Sequence, residues 1–160
     1  MQRTVRISIV LLLMAFISSG LTFAQGKSKE YSKKQLQQMY VNFLKDEGYK
    51  PEVDDDGDVK FKREGRTYFI LVQETDMEFF TIILPNIWEI ESEEERAKVI
   101  VACDASNAKT KVTKVYSFKD NVWVTVELFI RQPEDFKGVF ARAMNAIDSG
   151  AGNFVSKMRE

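Results

Sequence analysis

The side chains that run most enzyme chemistry are scarce in this chain: histidine does not occur, and Cys103 is the single cysteine. Without imidazole there is no His-based acid–base relay, no Ser-His-Asp or Cys-His triad and no His-ligated metal, and one thiol makes neither a CxxC pair nor an intramolecular disulfide. Carboxylates are the remaining plentiful acid–base groups, and they fall in three clusters. Asp54-Asp55-Asp56-Gly57-Asp58 places hard oxygen ligands at alternate positions, as a calcium loop does. The spacing fails, because the sixth position of such a loop is Val59 where glycine is needed, and the twelfth is Gly65 where glutamate is needed. A solvated hairpin turn fits better. Glu89, Glu91, Glu93, Glu94 and Glu95 stand where acidic residues stabilise the dipole of a helix start. Glu74, Asp76 and Glu78 could line a carboxylate pocket, but number alone is no sign of acid–base work unless burial raises a pKa. Gly150-Ala151-Gly152 lacks the preceding strand and the downstream acidic residue of a phosphate-binding loop. The expectation is a protein that is not an enzyme and uses no cofactor and no metal.

Positioning these residues falls to elements that hydrophobic spacing makes legible. Leu36, Met39, Tyr40, Phe43 and Leu44 share one helical face, Ser32 with Gln35 forms a capping box, Tyr31 is placed to staple Leu36, and Gly48 stops the helix with Tyr49 against Leu44. The period then changes from 3.6 to 2. Pro51 to Val53, Val59 to Lys62, Thr67 to Val72 and Phe79 to Leu84 read as meander strands, with turns at Asp56-Gly57, Glu64-Gly65 and Glu74 to Asp76, and Pro85-Asn86 ends the run. Ser92 with Glu95 forms a second capping box for a helix carrying Ala97, Ile100, Val101 and Ala105. Cys103 reads there as a buried small hydrophobe, with an intermolecular disulfide as the alternative. Val112 to Ser117 and Val122 to Ile130 follow, joined around Asp120-Asn121. Lys109, Lys111, Lys114 and Lys119 make a solvated edge that discourages further pairing. Pro133 opens a last helix with Phe136, Phe140, Ala143, Ile147, Phe154 and Met158, which Gly150 and Gly152 loosen or kink. The result is one α+β domain of two layers, an antiparallel sheet of about five to six strands with three helices on one face, in the order α-β-β-β(β)-α-β-β-α.

One feature of that sheet points to function. If Phe61, Ile70, Val72, Ile82, Leu84 and the alternating Val122 to Ile130 series face the helices, then Phe69, Leu71, Phe79, Ile83, Trp123 and Phe129 face away from them, interspersed with Thr67, Thr81 and Thr125. Six large apolar side chains on a solvated face are too many. They belong to the core by sheet twist, to a homodimer, or to a groove for a peptide or apolar ligand. The formal net charge of −1 gives no field to gather nucleic acid or anionic lipid over the whole chain.

The amino terminus carries a localisation signal. Arg3 and Arg6 precede the apolar run Ile7 to Ile17, and Thr22-Phe23-Ala24 is a small-x-small end, so residues 1–24 read as a secretory signal peptide. The apolar run is well short of the roughly 20 residues that span a bilayer, so no membrane span is expected after cleavage. Residues 25–31 form a mobile leader and residues 32–160 the domain. The expected location is the bacterial envelope, periplasmic or secreted.

Asn42-Phe43-Leu44-Lys45-Asp46-Glu47-Gly48-Tyr49 leading to Asp56-Gly57-Asp58-Val59-Lys60-Phe61, with Ser106-Asn107-Ala108-Lys109, Asp120-Asn121-Val122-Trp123-Val124 and the closing helix, resembles the YbjN-like family of the type III secretion chaperone-like superfamily. The resemblance spans about Lys33 to Met158. It implies a two-layer α+β fold with a mixed-order antiparallel sheet, often dimeric, which binds polypeptide in its chaperone relatives and has no catalytic residues to carry over. Secretion chaperones act in the cytoplasm whereas this chain has an export signal, so fold and task are separable. The functional expectation is an exported chaperone-like interaction protein, with calcium-dependent adhesion or carboxylate-based catalysis as the alternative.

Overall fold

The structure, a computed structural model, describes residues 30–160. Residues 1–24, read above as a signal peptide, and residues 25–29 of the expected leader lie outside the described residues. The leader's last residue, Tyr31, belongs to the domain: it is buried, its N–H donates to Met77 Sδ at 3.3 Å and its hydroxyl donates to Glu134.

Helix α1 (Lys33–Asp46) starts at a complete capping box, with Ser32 Oγ accepting from the Gln35 N–H and the Gln35 side chain accepting from the Ser32 N–H. It ends in a Schellman arrangement in which Gly48, at φ 87°, donates to the Lys45 carbonyl and Tyr49 donates to the Leu44 carbonyl at 2.8 Å. Leu36, Tyr40 and Leu44 are its buried stripe.

Strands β1 (Glu52–Val53), β2 (Val59–Arg63) and β3 (Arg66–Ile70) form a meander. The β2–β3 turn has both Glu64 and Gly65 at positive φ, the conformation that matches the twist of a two-residue hairpin. The β1–β2 turn is tied to α1: Lys33 Nζ donates to the Asp56 carbonyl and the Gln37 amide donates to the Gly57 carbonyl.

Strand β4 (Phe79–Glu89) runs past Pro85-Asn86, where the sequence alone suggests an end. The ladder with β6 shifts register between Leu84 and Trp88, and Asn86 takes φ 55°. Proline removes a ladder donor, and the bulge absorbs that loss without ending the strand.

Helix α2 (Glu93–Lys109) buries Val99, Ala102, Cys103 and Ser106, and leaves Ile100 and Val101 58 % exposed. The face expected from Ala97, Ile100, Val101 and Ala105 is therefore the wrong one. Close packing on the last helix selects small residues: Ser106 Oγ donates to the Gly150 carbonyl at 2.8 Å. Its capping box is half formed. Ser92 Oγ accepts from the Glu95 N–H, while the Glu95 carboxylate accepts from the Glu91 N–H and the Trp88 indole instead.

Strands β5 (Thr113–Phe118) and β6 (Asn121–Phe129) meet at Lys119-Asp120, one residue earlier than the Asp120-Asn121 reading. Pro133 opens a 3₁₀ turn, Pro133–Asp135, from which α3 (Phe136–Met158) continues. The expected loosening at Gly150 and Gly152 does not occur, since α3 is unbroken through both. Gly150 is instead where the helix lies on the sheet. A Cβ there would stand 3.3 Å from Val124 Cγ1 and 3.4 Å from Val115 Cγ2.

The sheet has six strands in the order β1-β2-β3-β4-β6-β5, every neighbour antiparallel. The expected α+β architecture and element order hold. All three helices serve one face. Tyr40, Phe43, Phe80 and Phe136 pack ring against ring, Phe140 bridges Phe43 to Phe61, and Trp88 meets Phe154 edge-on. Val59, Phe61, Tyr68, Ile70, Phe80, Ile82, Leu84, Val115, Val122, Val124 and Val126 supply the sheet's half of that core.

Candidate interaction face of the sheet

Alternation along each strand sends the remaining side chains to the other face, which no described helix covers. Register decides which of them touch. Phe69 on β3 lies opposite Ile83 on β4, and Ile83 in turn lies opposite Thr125 on β6. Leu71 is one residue past β3, held by its N–H to the Thr81 carbonyl. Phe79 and Phe129 are cross-strand partners with ring centroids 5.3 Å apart. All six residues expected on this face are there. Phe69, Leu71, Phe79, Ile83 and Trp123 are half-buried, while Phe129 stands 85 % exposed.

The sequence reading missed the contribution of β5. Tyr116 is the cross-strand partner of Trp123, Phe118 packs on the Trp123 ring at 4.5 Å, and Lys119 Nζ lies over the Phe118 ring. The signal was available, since residues 114, 116 and 118 share the parity that opposes Trp123 in a tight hairpin. Trp123 is also fixed by the β4 bulge: its indole N–H donates to Asn86 Oδ1 at 3.1 Å. Asn86 accepts there because the bulge lifts it out of the ladder.

Two ion pairs lie on the face. Lys114 forms an ion pair with Glu127, whose other carboxylate oxygen accepts from Thr125 Oγ1, and Lys60 pairs with Glu52. Burial first, and then Glu127, raise the Tyr116 phenol above its ordinary value. Thr81 Oγ1 is buried on this face with no hydrogen-bond partner among the described residues. The β5 edge beside the face is closed by a side chain: Asn107 of α2 both donates to the Val115 carbonyl and accepts from the Val115 N–H. That mimics one more strand residue and blocks pairing at the edge.

The other candidate groups are dispersed. Glu74 accepts from the Lys33 N–H, the Asp76 carbonyl accepts from the Phe79 N–H, and Glu74, Asp76 and Glu78 are all exposed. In the aspartate run, Asp54 accepts from the Asp58 N–H and Asp58 from the Val72 N–H, so the carboxylates staple the turn. Partial burial raises the Asp58 pKa. Cys103 is buried, and burial pushes its thiol up to about 11, away from thiolate reactivity. Among the described residues no group of three or more His, Cys, Asp or Glu could hold a metal ion, and no helix is long and apolar enough to cross a membrane.

No protein family and no curated protein matches the chain. Among known structures, the chain is similar to the crystal structure of an uncharacterized protein from Methanothermobacter thermautotrophicus, with a TM-score of 0.54 and 14 % identity over 78 % of this chain and 96 % of that one. At that identity the likeness is one of fold.

Proposed function

We propose that the chain is an exported, non-catalytic, chaperone-like interaction protein of a bacterial envelope, and that its outer sheet face joins two copies into a homodimer. The observation that carries this reading is Phe129, 85 % exposed at the end of a face that also presents Phe69, Leu71, Phe79, Ile83 and Trp123. The extent of the face supports a second copy as occupant. Strands β2 to β5 span four inter-strand spacings, and β6 has nine residues, which makes a plan area of roughly 600 Å² before side-chain relief, against about 800 Å² per partner in a standard interface. Its charges favour self-association as well. Lys114–Glu127 and Lys60–Glu52 are neutral pairs at its sides, so these four charges add no like-charge repulsion between two copies. The resemblance to YbjN-like proteins agrees with this reading, as does the signal-like amino terminus.

Sedimentation equilibrium tests it. The wild-type chain is expected to be a dimer, and a Phe79→Glu, Trp123→Glu double variant a folded monomer. A wild-type monomer, or a dimer that the double variant leaves intact, overturns the proposal. A monomer that instead binds extended apolar peptides through these residues assigns the face to a polypeptide client and removes the homodimer.

A further inference from the structure

On the helical side of the domain a second feature stands apart from the outer face. Strand β5 begins at Thr113, opposite Val126, so Leu128, two residues further along β6, has no β5 neighbour. The gap is an open cleft of about 420 Å³ between the end of β6, the α2–β5 connection and α3. That volume lies within the usual range for small-molecule sites. Its floor is aliphatic, made of Leu128, Val139, Ala143 and Ala146. Val112 forms a wall, half exposed and held at φ 57°, a strained conformation for a β-branched residue. Strain of this kind is kept where surrounding structure demands it and gathers at binding sites.

The rim is cationic. Lys109, Lys111 and Arg142 line the mouth. Lys109 shares the field of Glu160, but among the described residues Lys111 and Arg142 form no ion pair. The two hydroxyls of the lining are already used within the chain: Thr110 Oγ1 donates to the Ser106 carbonyl and accepts from Thr113 Oγ1, and Ser149 Oγ donates to the Asn145 carbonyl. The lining side chains thus offer an occupant an apolar bed and cationic donors. Such a set suits a molecule with one anionic head and a body without hydrogen-bonding groups. A peptide, whose amides need partners, fits it poorly.

We infer that this cleft binds a single-chain anionic amphiphile of the fatty-acid type, its carboxylate at Lys111 and Arg142 and its hydrocarbon along Leu128, Val139, Ala143 and Ala146. The site is separate from the outer face and does not depend on the dimer proposed above.

Isothermal titration calorimetry with sodium laurate, below its micelle-forming concentration, tests the inference on the full chain. Saturable one-to-one binding is expected, with no saturable binding of acetate, which lacks the tail, or of dodecyltrimethylammonium, which reverses the charge. A Lys111→Gln, Arg142→Gln variant, altered only at exposed side chains, is expected to bind laurate at least about tenfold more weakly, the loss that a charge-assisted contact carries. Ala146→Phe, which fills the floor, is expected to compete with the tail. The Phe79→Glu, Trp123→Glu variant should bind laurate as the wild type does. No saturable laurate binding, equal binding of dodecyltrimethylammonium, indifference to both cleft variants, or loss of binding in the outer-face variant would each overturn the inference. Displacement of laurate by an apolar peptide with a free carboxyl terminus but not by its amide would assign the cleft to peptide ends and overturn it too.

Discussion

Two glycines two residues apart in α3 offer an internally controlled test of how the helical layer meets the sheet. Gly152 is exposed and an added Cβ would meet no atom within 4 Å. Gly152→Ala should therefore collect the helix-propensity gain alone, about 0.5–1 kcal/mol. Gly150 is buried, and the same methyl group would stand 3.3 Å from Val124 Cγ1, 3.4 Å from Val115 Cγ2 and 3.6 Å from Thr113 Oγ1. Carbon pairs prefer about 3.5–4.0 Å, and the two valines have little room to turn aside, because branching at Cβ restricts χ1 and both are fully packed. Overpacking typically costs about 1–3 kcal/mol. Offset by the same propensity gain, Gly150→Ala should be neutral to about 2 kcal/mol destabilising, which puts it roughly 1–3 kcal/mol below Gly152→Ala. The hydrogen bond from Ser106 to the Gly150 carbonyl would be displaced with the helix, adding to the cost. Urea unfolding followed by far-ultraviolet circular dichroism gives both values at constant m. Equal stabilisation by the two alanines would refute the reasoning, since it would mean that α3 does not approach β5 and β6 closely enough to exclude a methyl group.

Further expectations concern the two sides of the sheet and its edge. Phe129→Ser removes a ring that is already exposed, so monomer stability should change by less than about 1 kcal/mol, mostly the lost contact with Phe79. Burial of the two rings of a dimer is worth about 3 kcal/mol or more, so association should weaken by roughly a hundredfold or more in sedimentation equilibrium. Asn107→Ala uncovers the Val115 N–H and carbonyl at the β5 edge. It should destabilise by about 1–3 kcal/mol and accelerate hydrogen exchange at the Val115 amide, measured by NMR. Glu95 is held below the ordinary glutamate range by the Glu91 N–H and then by the Trp88 indole. Its contribution to stability is whole above that range and is lost as pH falls through its lowered value, so Glu95→Gln should flatten the acid limb of stability against pH, read by Trp88 fluorescence in a Trp123→Phe background.

How much of this was legible before the coordinates varies with how local the cause is. The cap at Ser32, the stop at Gly48, the hairpin at Glu64-Gly65 and the parity of β2, β3, β4 and β6 are set by residues within a few positions of one another, and these read correctly. The same parity sorts Phe69, Leu71, Phe79, Ile83, Trp123 and Phe129 onto one face. Parity cannot say how those residues neighbour one another, because the β3–β4 and β4–β6 pairings join segments far apart in sequence. The α2 face was misread for a related reason. Its spacing admits two apolar stripes, and the choice between them depends on Gly150, more than forty residues away, which admits small side chains only at Ser106 and its neighbours.

Composition and local pattern therefore determined an α+β chain without histidine and with an apolar second sheet face. Tertiary structure alone decided that β6 inserts between β4 and β5, that Asn107 seals the edge, that a bulge carries β4 past Pro85, and that a cation-rimmed cleft opens beyond the start of β5. The physical reason is range. Caps, turns and alternation are fixed by backbone stereochemistry over a few residues, whereas sheet order, close approach and cavities arise only when distant segments compete for the same buried space.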